Sequence, residues 1–179
     1  MRTLGTAVLL ALAVGAGCKP RPNLPQPAAA IPVSVTDADH NALAAALKER
    51  KGKVVLMDFW ATWCPPCVKT FPEFVDLHKK YADRGLVCLS VSMDKTWERK
   101  KGSYDKDRVL KFLEEKSATF PNFIATERDD ELYGRLFGLE HSIPFQVLFG
   151  KDGTRVWTRE EKELTEAELN KLIESELAK

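Results

Sequence analysis

The sequence predicts an α/β domain with a mixed central sheet and helices on both of its faces. Two runs, KVVLMDFW at 53–60 and LVCLSV at 86–91, lack helical periodicity. They are too continuously apolar for half-exposed strands, so they read as central strands buried on both faces. Segments of helical spacing alternate with them, the pattern of crossover units on a parallel sheet. Near the end Lys151-Asp152-Gly153 marks a tight turn between two short strands, which adds an antiparallel hairpin.

The chain has 179 residues, is 44% hydrophobic and carries a formal net charge of +1. That suffices for one domain with a proper core. No stretch concentrates one sign of charge, so nothing calls for a nucleic acid or an acidic substrate. Met1 and Arg2 precede an almost wholly apolar run of small and aliphatic residues at 4–17, LGTAVLLALAVGAG. The run is too short to span a bilayer comfortably, and its layout is that of a secretory signal. Residues 19–32, KPRPNLPQPAAAIP, hold five of the ten prolines and read as an extended tether. The domain organisation is therefore a signal peptide at 1–17, a proline-rich tether at 18–32 and one globular domain at 33–179.

Within that domain, 36–50 reads as a helix with Asp37 or Asp39 as its cap and Leu43, Ala46 and Leu47 on its apolar face. The strand at 53–60 follows, with Asp58 as its one interrupting charge. Residues 65–84 form a long helix, kinked by Pro72 and ended by Gly85. After the strand at 86–91, the polar, basic stretch 93–103 reads as an exposed loop. A helix at 106–116, a short strand at 120–125 and a short helix at 131–137 stopped by Gly138 come next. Strands at 145–149 and 154–158 flank the turn, and Thr165 with Glu168 forms a capping-box signal for the last helix.

The chemistry concentrates at Cys64-Pro65-Pro66-Cys67. A zinc site needs four ligands, usually two such pairs, and no second pair or suitably spaced histidine is present. A permanent staple over so short a loop removes little entropy from the unfolded chain. The remaining reading is redox: the pair sits between a buried strand and a helix start, where free N–H groups and the helix dipole favour a thiolate. Asp58, in an apolar strand, is the candidate proton acceptor with a raised pKa; the alternative is a structural pairing with Lys48 or Lys53. Cys88, mid-strand, reads as a small buried apolar residue, and His78 and His141 as surface or packing residues.

The stretch from Asp58 through Trp63 to Cys67 resembles the active-site strand and turn of thioredoxins. Pro72 resembles the family's kink, Ser142-Ile143-Pro144 its cis-proline loop, and Lys151-Asp152-Gly153 its hairpin. The signal, the tether and the extra helix and strand before Pro144 are similar to the TlpA/ResA-like branch of exported, membrane-tethered thioredoxins. The resemblance covers roughly residues 33–179. It implies a thioredoxin-like fold, Cys64 as the attacking and Cys67 as the resolving cysteine, Trp63 beside the reactive sulfur, and Ile143 and a cis Pro144 contacting substrate. Many members of that branch have Asn where Asp58 stands. Ala16-Gly17-Cys18 resembles a lipoprotein cleavage box, with Cys18 lipidated, although Gly15 stands where that box usually has leucine. Ordinary signal-peptide cleavage is the alternative.

The function so implied is an exported protein-disulfide reductase of the periplasm or cell envelope, tethered through Cys18 and acting as a monomer on oxidised envelope proteins, apocytochrome c among them. A membrane thiol donor would recharge it. No metal and no cofactor beyond the Cys64–Cys67 pair is expected. Pro65 and Pro66 bring no N–H to Cys64, which points to a less stabilised thiolate and a reducing pair. Two other readings compete. One is a disulfide oxidase or isomerase. The other is a copper-binding chaperone using Cys64, Cys67 and His141, although copper chaperones of this fold space their cysteines by three. A peroxidase is disfavoured because Ala61 replaces the threonine such enzymes carry three residues before the cysteine.

Overall fold

The computed structural model describes residues 32–96, 104–138 and 142–179. Six strands form one sheet: β1 (Thr36–Ala38), β2 (Val54–Trp60), β3 (Leu86–Ser92), β4 (Asn122–Ala125), β5 (Phe145–Phe149) and β6 (Arg155–Thr158). Their order across the sheet is β1-β4-β3-β2-β5-β6. The first four run parallel, while β5 is antiparallel to β2 and β6 to β5. The helices are α1 (His40–Lys48), α2 (Pro65–Tyr81, continued by a 3-10 turn at Ala82–Arg84), α3 (Lys106–Glu115), α4 (Asp129–Phe137) and α5 (Glu166–Ala178).

β2 is buried at every position, as expected of a strand with a neighbour on each side and helices over both faces. Alternation along the strand sends Phe59 to one face and Asp58 and Trp60 to the other. Phe59 meets Tyr133 and Phe137 of α4 edge-on, with ring centroids 5.2 and 5.7 Å away, and α1 packs beside α4. Trp60 lies 4.7 Å from both Phe71 of α2 and Phe112 of α3. α5 lies along α2, where the Tyr81 hydroxyl reaches Asn170 and Glu174.

The ends of the elements follow their local chemistry. Asp39 caps α1 and Asp105 caps α3. Gly85 and Gly138 stop their helices with left-handed φ of 105° and 68°, a conformation that glycine adopts without a Cβ clash. Thr165 and Glu168 complete a capping box on α5. Two expectations are corrected. Residues 36–38 are not the start of a helix but a short edge strand paired with β4. The buried Asn122 amide holds the approach to that strand through the Ser34 carbonyl, while its oxygen accepts from Ser90. Met93, placed in an exposed loop from sequence, is fully buried; residues 97–103 of that stretch lie outside the described residues.

Candidate active site

Cys64 stands at the junction of β2 and α2 and caps the helix itself, with φ −99° and ψ 97°. Pro65 and Pro66 open the helix and have no N–H to donate. The first α2 amide is therefore that of Cys67, which donates to Cys64 Sγ at 3.4 Å. The two sulfurs are joined in a disulfide with S–S 2.04 Å and Cα–Cα 5.3 Å. Cys67 is 1% exposed and Cys64 5%, so Cys67 is the more deeply placed sulfur. Beside them Trp63 is 43% exposed, the one large hydrophobic side chain exposed among the described residues.

The turn that carries Trp63 is fastened to the neighbouring strand. Asp94, just past β3, accepts from the Thr62 amide at 3.0 Å and from the Thr62 and Ser92 hydroxyls. The Met93 amide closes on the Trp60 carbonyl at 2.7 Å. These bonds fix where the chain leaves β2, and so where Cys64 sits.

Asp58 is buried two residues before Trp60, on the face covered by α2. Burial pushes its carboxyl up from 3.8 to about 7; a hydrogen bond from the Gln146 side chain and the charge of Arg159 pull in the opposite direction without overcoming it. The cation acting on Asp58 is thus Arg159, not Lys48 or Lys53. Gln146 is directly opposite Asp58 in the β2–β5 register. Cys88 on β3 is a buried free thiol, pushed far up by burial and then by the Asp58 charge, so it stays a thiol and serves as packing. His78 is half-buried, edge-on to Phe120 at 5.2 Å, a packing residue as expected.

The Ile143–Pro144 peptide bond is cis. It leads into Phe145, which pairs with Phe59 near the carboxyl end of β2, so this loop and Cys64 share one edge of the sheet. A cleft of about 250 Å³ there is lined by Ser142, Pro144, Phe145, Arg159, Glu160 and Glu163. The structure thus brings Cys64, Cys67, Asp58, Trp63, Ile143 and Pro144 to the part of the sheet around the carboxyl end of β2. Cys18 and His141 lie outside the described residues. Among the described residues no group of three metal-binding side chains occurs, and no helix is long and apolar enough to cross a membrane.

Sequence reasoning missed Asp94, Gln146 and Arg159. Asp94 carries only the weak signal of a charge just past a buried strand. Gln146 is the one polar residue in FQVLF, a legible anomaly whose partner depends on strand register.

Comparison with known proteins agrees with the fold. Curated relatives named thiol-disulfide oxidoreductase ResA include one from Bacillus thuringiensis (strain Al Hakam), 31% identical over 107 residues, 60% of this chain and 54% of that one. Another, from a strain of Bacillus cereus, is 29% identical over 129 residues, 70% and 67% of the two chains. The chain spans about half to two thirds of the length of these relatives. A solved thiol:disulfide interchange protein of the thioredoxin family from Chlorobium tepidum TLS superposes with a TM-score of 0.57 at 22% identity, over 73% of this chain and 83% of that one; this establishes the thioredoxin-like fold. Residues 27–156 match the AhpC/TSA family, and with more than half of its length inside that match the chain belongs to the AhpC/TSA family of thioredoxin-like proteins.

Proposed function

We propose that this protein is an exported thiol–disulfide oxidoreductase that reduces disulfides of envelope proteins, apocytochrome c among them, through Cys64 and Cys67. The observation that carries the reading is the Cys64–Cys67 pair at the start of α2 on the same face as a buried, ionisable Asp58. In the reduced protein the Cys64 thiolate attacks one sulfur of a substrate disulfide. A mixed disulfide forms and the other substrate sulfur leaves as a thiolate, which solvent protonates. The Cys67 thiol passes its proton to the Asp58 carboxylate, and the Cys67 sulfur attacks Cys64. The Cys64–Cys67 disulfide forms, the second substrate sulfur leaves, and the substrate has gained two electrons. A carboxyl titrating near 7 is suited to take that proton at neutral pH, because both of its forms are populated there.

Trp63 and the Ile143–Pro144 segment supply the surface for an extended substrate strand. Support comes from the exposed indole and from the cleft beside Pro144; backbone pairing with such a strand is a common recognition mode. A signal peptide at 1–17, a tether at 18–32 with a lipidated Cys18, and a membrane thiol donor complete the reading; their support is the order of segments in the sequence.

The test is Cys67→Ser, which leaves Cys64 to attack but removes the resolving thiol. Expressed in the envelope, this variant should accumulate mixed disulfides with its substrates that dithiothreitol releases, while Cys64→Ser accumulates none. Equal capture by the two variants would sink the assignment. Reduction potential separates the readings of direction: a value near about −270 mV fits a reductant, and one near about −120 mV an oxidant.

A further inference from the structure

A buried glutamine facing a buried aspartate is an expensive combination to keep in an apolar core, since each group loses water and must find a partner. Asp58 is 3% and Gln146 8% exposed. They stand opposite each other across β2 and β5, and the Gln146 amide acts on the carboxylate so as to favour its charged form. Every other residue of β5 is apolar, so packing alone gives no reason for an amide here.

The far side of Gln146 supplies a reason. It lines a cleft of about 50 Å³ whose lining also includes Thr70 and Glu73 of α2, Glu166 of α5, Leu164 and Arg159. That is room for about one or two waters at a site with several polar partners. The Arg159 amide donates to the Gln146 carbonyl at 2.9 Å, and its guanidinium donates to Glu163, which lines the cleft beside Pro144, at 3.2 Å. Asp58 itself does not line the cleft. On its other sides it faces Cys88 of β3, whose thiol stays protonated, and it lies on the sheet face that α2, with the buried Cys67, covers.

We propose that Gln146 is a positioning residue for Asp58, orienting the carboxylate and linking it to the α2–α5 cleft, so that the proton Asp58 accepts from Cys67 leaves through this side cleft instead of past the reacting sulfurs. The inference rests on Asp58 being the acceptor for Cys67, as proposed above. A carboxylate that accepts a hydrogen bond is favoured over its neutral form, so losing the amide must disfavour ionisation. A hydrogen bond to a charged group corresponds to about one pH unit of titration midpoint.

The experiment uses the full chain with Gln146→Met, which keeps length and burial but removes the amide, alone and combined with Asp58→Asn. Two readouts are taken: the Asp58 titration by carboxyl-carbon NMR in the reduced protein, and the pH profile of the resolving step, followed as release of a thiol from a preformed mixed disulfide. Gln146→Met should move the Asp58 midpoint up by about one pH unit and slow the resolving step at pH 7 by up to about tenfold. It should have no further effect on that rate when Asp58 is already Asn. An unmoved midpoint, or an equal loss of rate in both backgrounds, overturns the inference and marks Gln146 as structural. A moved midpoint together with a rate indifferent to Asp58→Asn overturns the acceptor reading instead, so the two failures are distinguishable.

Discussion

Asp58 links the chemistry of the site to the stability of the fold. In the unfolded chain its carboxyl ionises near 3.8, and in the folded protein near about 7, because burial disfavours the charge. Below pH 3.8 it is protonated in both states and has no net effect. As pH rises from there to 7 the unfolded chain releases a proton that the folded one retains, so stability falls through this window and then levels off. A shift of about three pH units at about 1.4 kcal/mol each sets the order of magnitude at about 4 kcal/mol. Asp58→Asn keeps the shape and cannot ionise. It should therefore be more stable than the parent at about pH 8 by up to that amount, with the gap closing as pH falls to about 4. Denaturant unfolding of both oxidised proteins across this range measures it. Parallel stability curves would show that Asp58 does not titrate as a buried acid, and its proposed role as proton acceptor near neutral pH would lose its basis.

At the scale of elements, α5 shows how far local signals reach. Thr165 accepts from the Glu168 amide at 3.3 Å, and the Glu168 carboxylate accepts from the Thr165 amide at 2.9 Å. Thr165→Ala removes one half of this exchange and should cost about 1 kcal/mol, seen as a thermal midpoint lower by roughly 2–4 °C. No change in midpoint would mean that the first turn of α5 is held by packing alone. This cap was legible in the sequence because both partners lie within four residues, and so were the buried strands, the helix that follows Cys64 and the glycine stops. β1 was not. It has three residues, of which only Ala38 is buried, and it exists because β4 and the Asn122 amide receive it. Cys64, Cys67 and Asp58 were legible because spacing and an interrupted apolar run mark them. Gln146 and Asp94 were not, because their roles come from cross-strand register and from a turn closing on a distant strand. Local rules read what neighbours decide, and non-local pairing decides the rest.

For the whole molecule, the parallel strands set a polarity. β2, β3 and β4 end at the same edge of the sheet, where open α/β sheets place their ligands. Cys64 follows the end of β2, Asp94 follows the end of β3, and the Ser142–Pro144 segment precedes β5, which starts at that edge because it runs the opposite way. β1 is parallel to β4, so its first residue, and with it the position where Val33 joins the domain, lies at the opposite edge. Val33 and Val35 pack against the core, and the site residues among the described ones, from Asp58 to Arg159, all follow them in the sequence. A chain beginning at Val33 should therefore keep its unfolding midpoint and should reduce a small soluble disulfide within about twofold of the full chain. Rates with the two chains, each fully reduced at the start, check this. A loss of about tenfold or more, roughly 1.4 kcal/mol of activation free energy, would place part of the machinery in residues 1–32. If the rates match, the tether proposed at 18–32 would act on protein substrates by raising local concentration, without a new contact at the sulfurs.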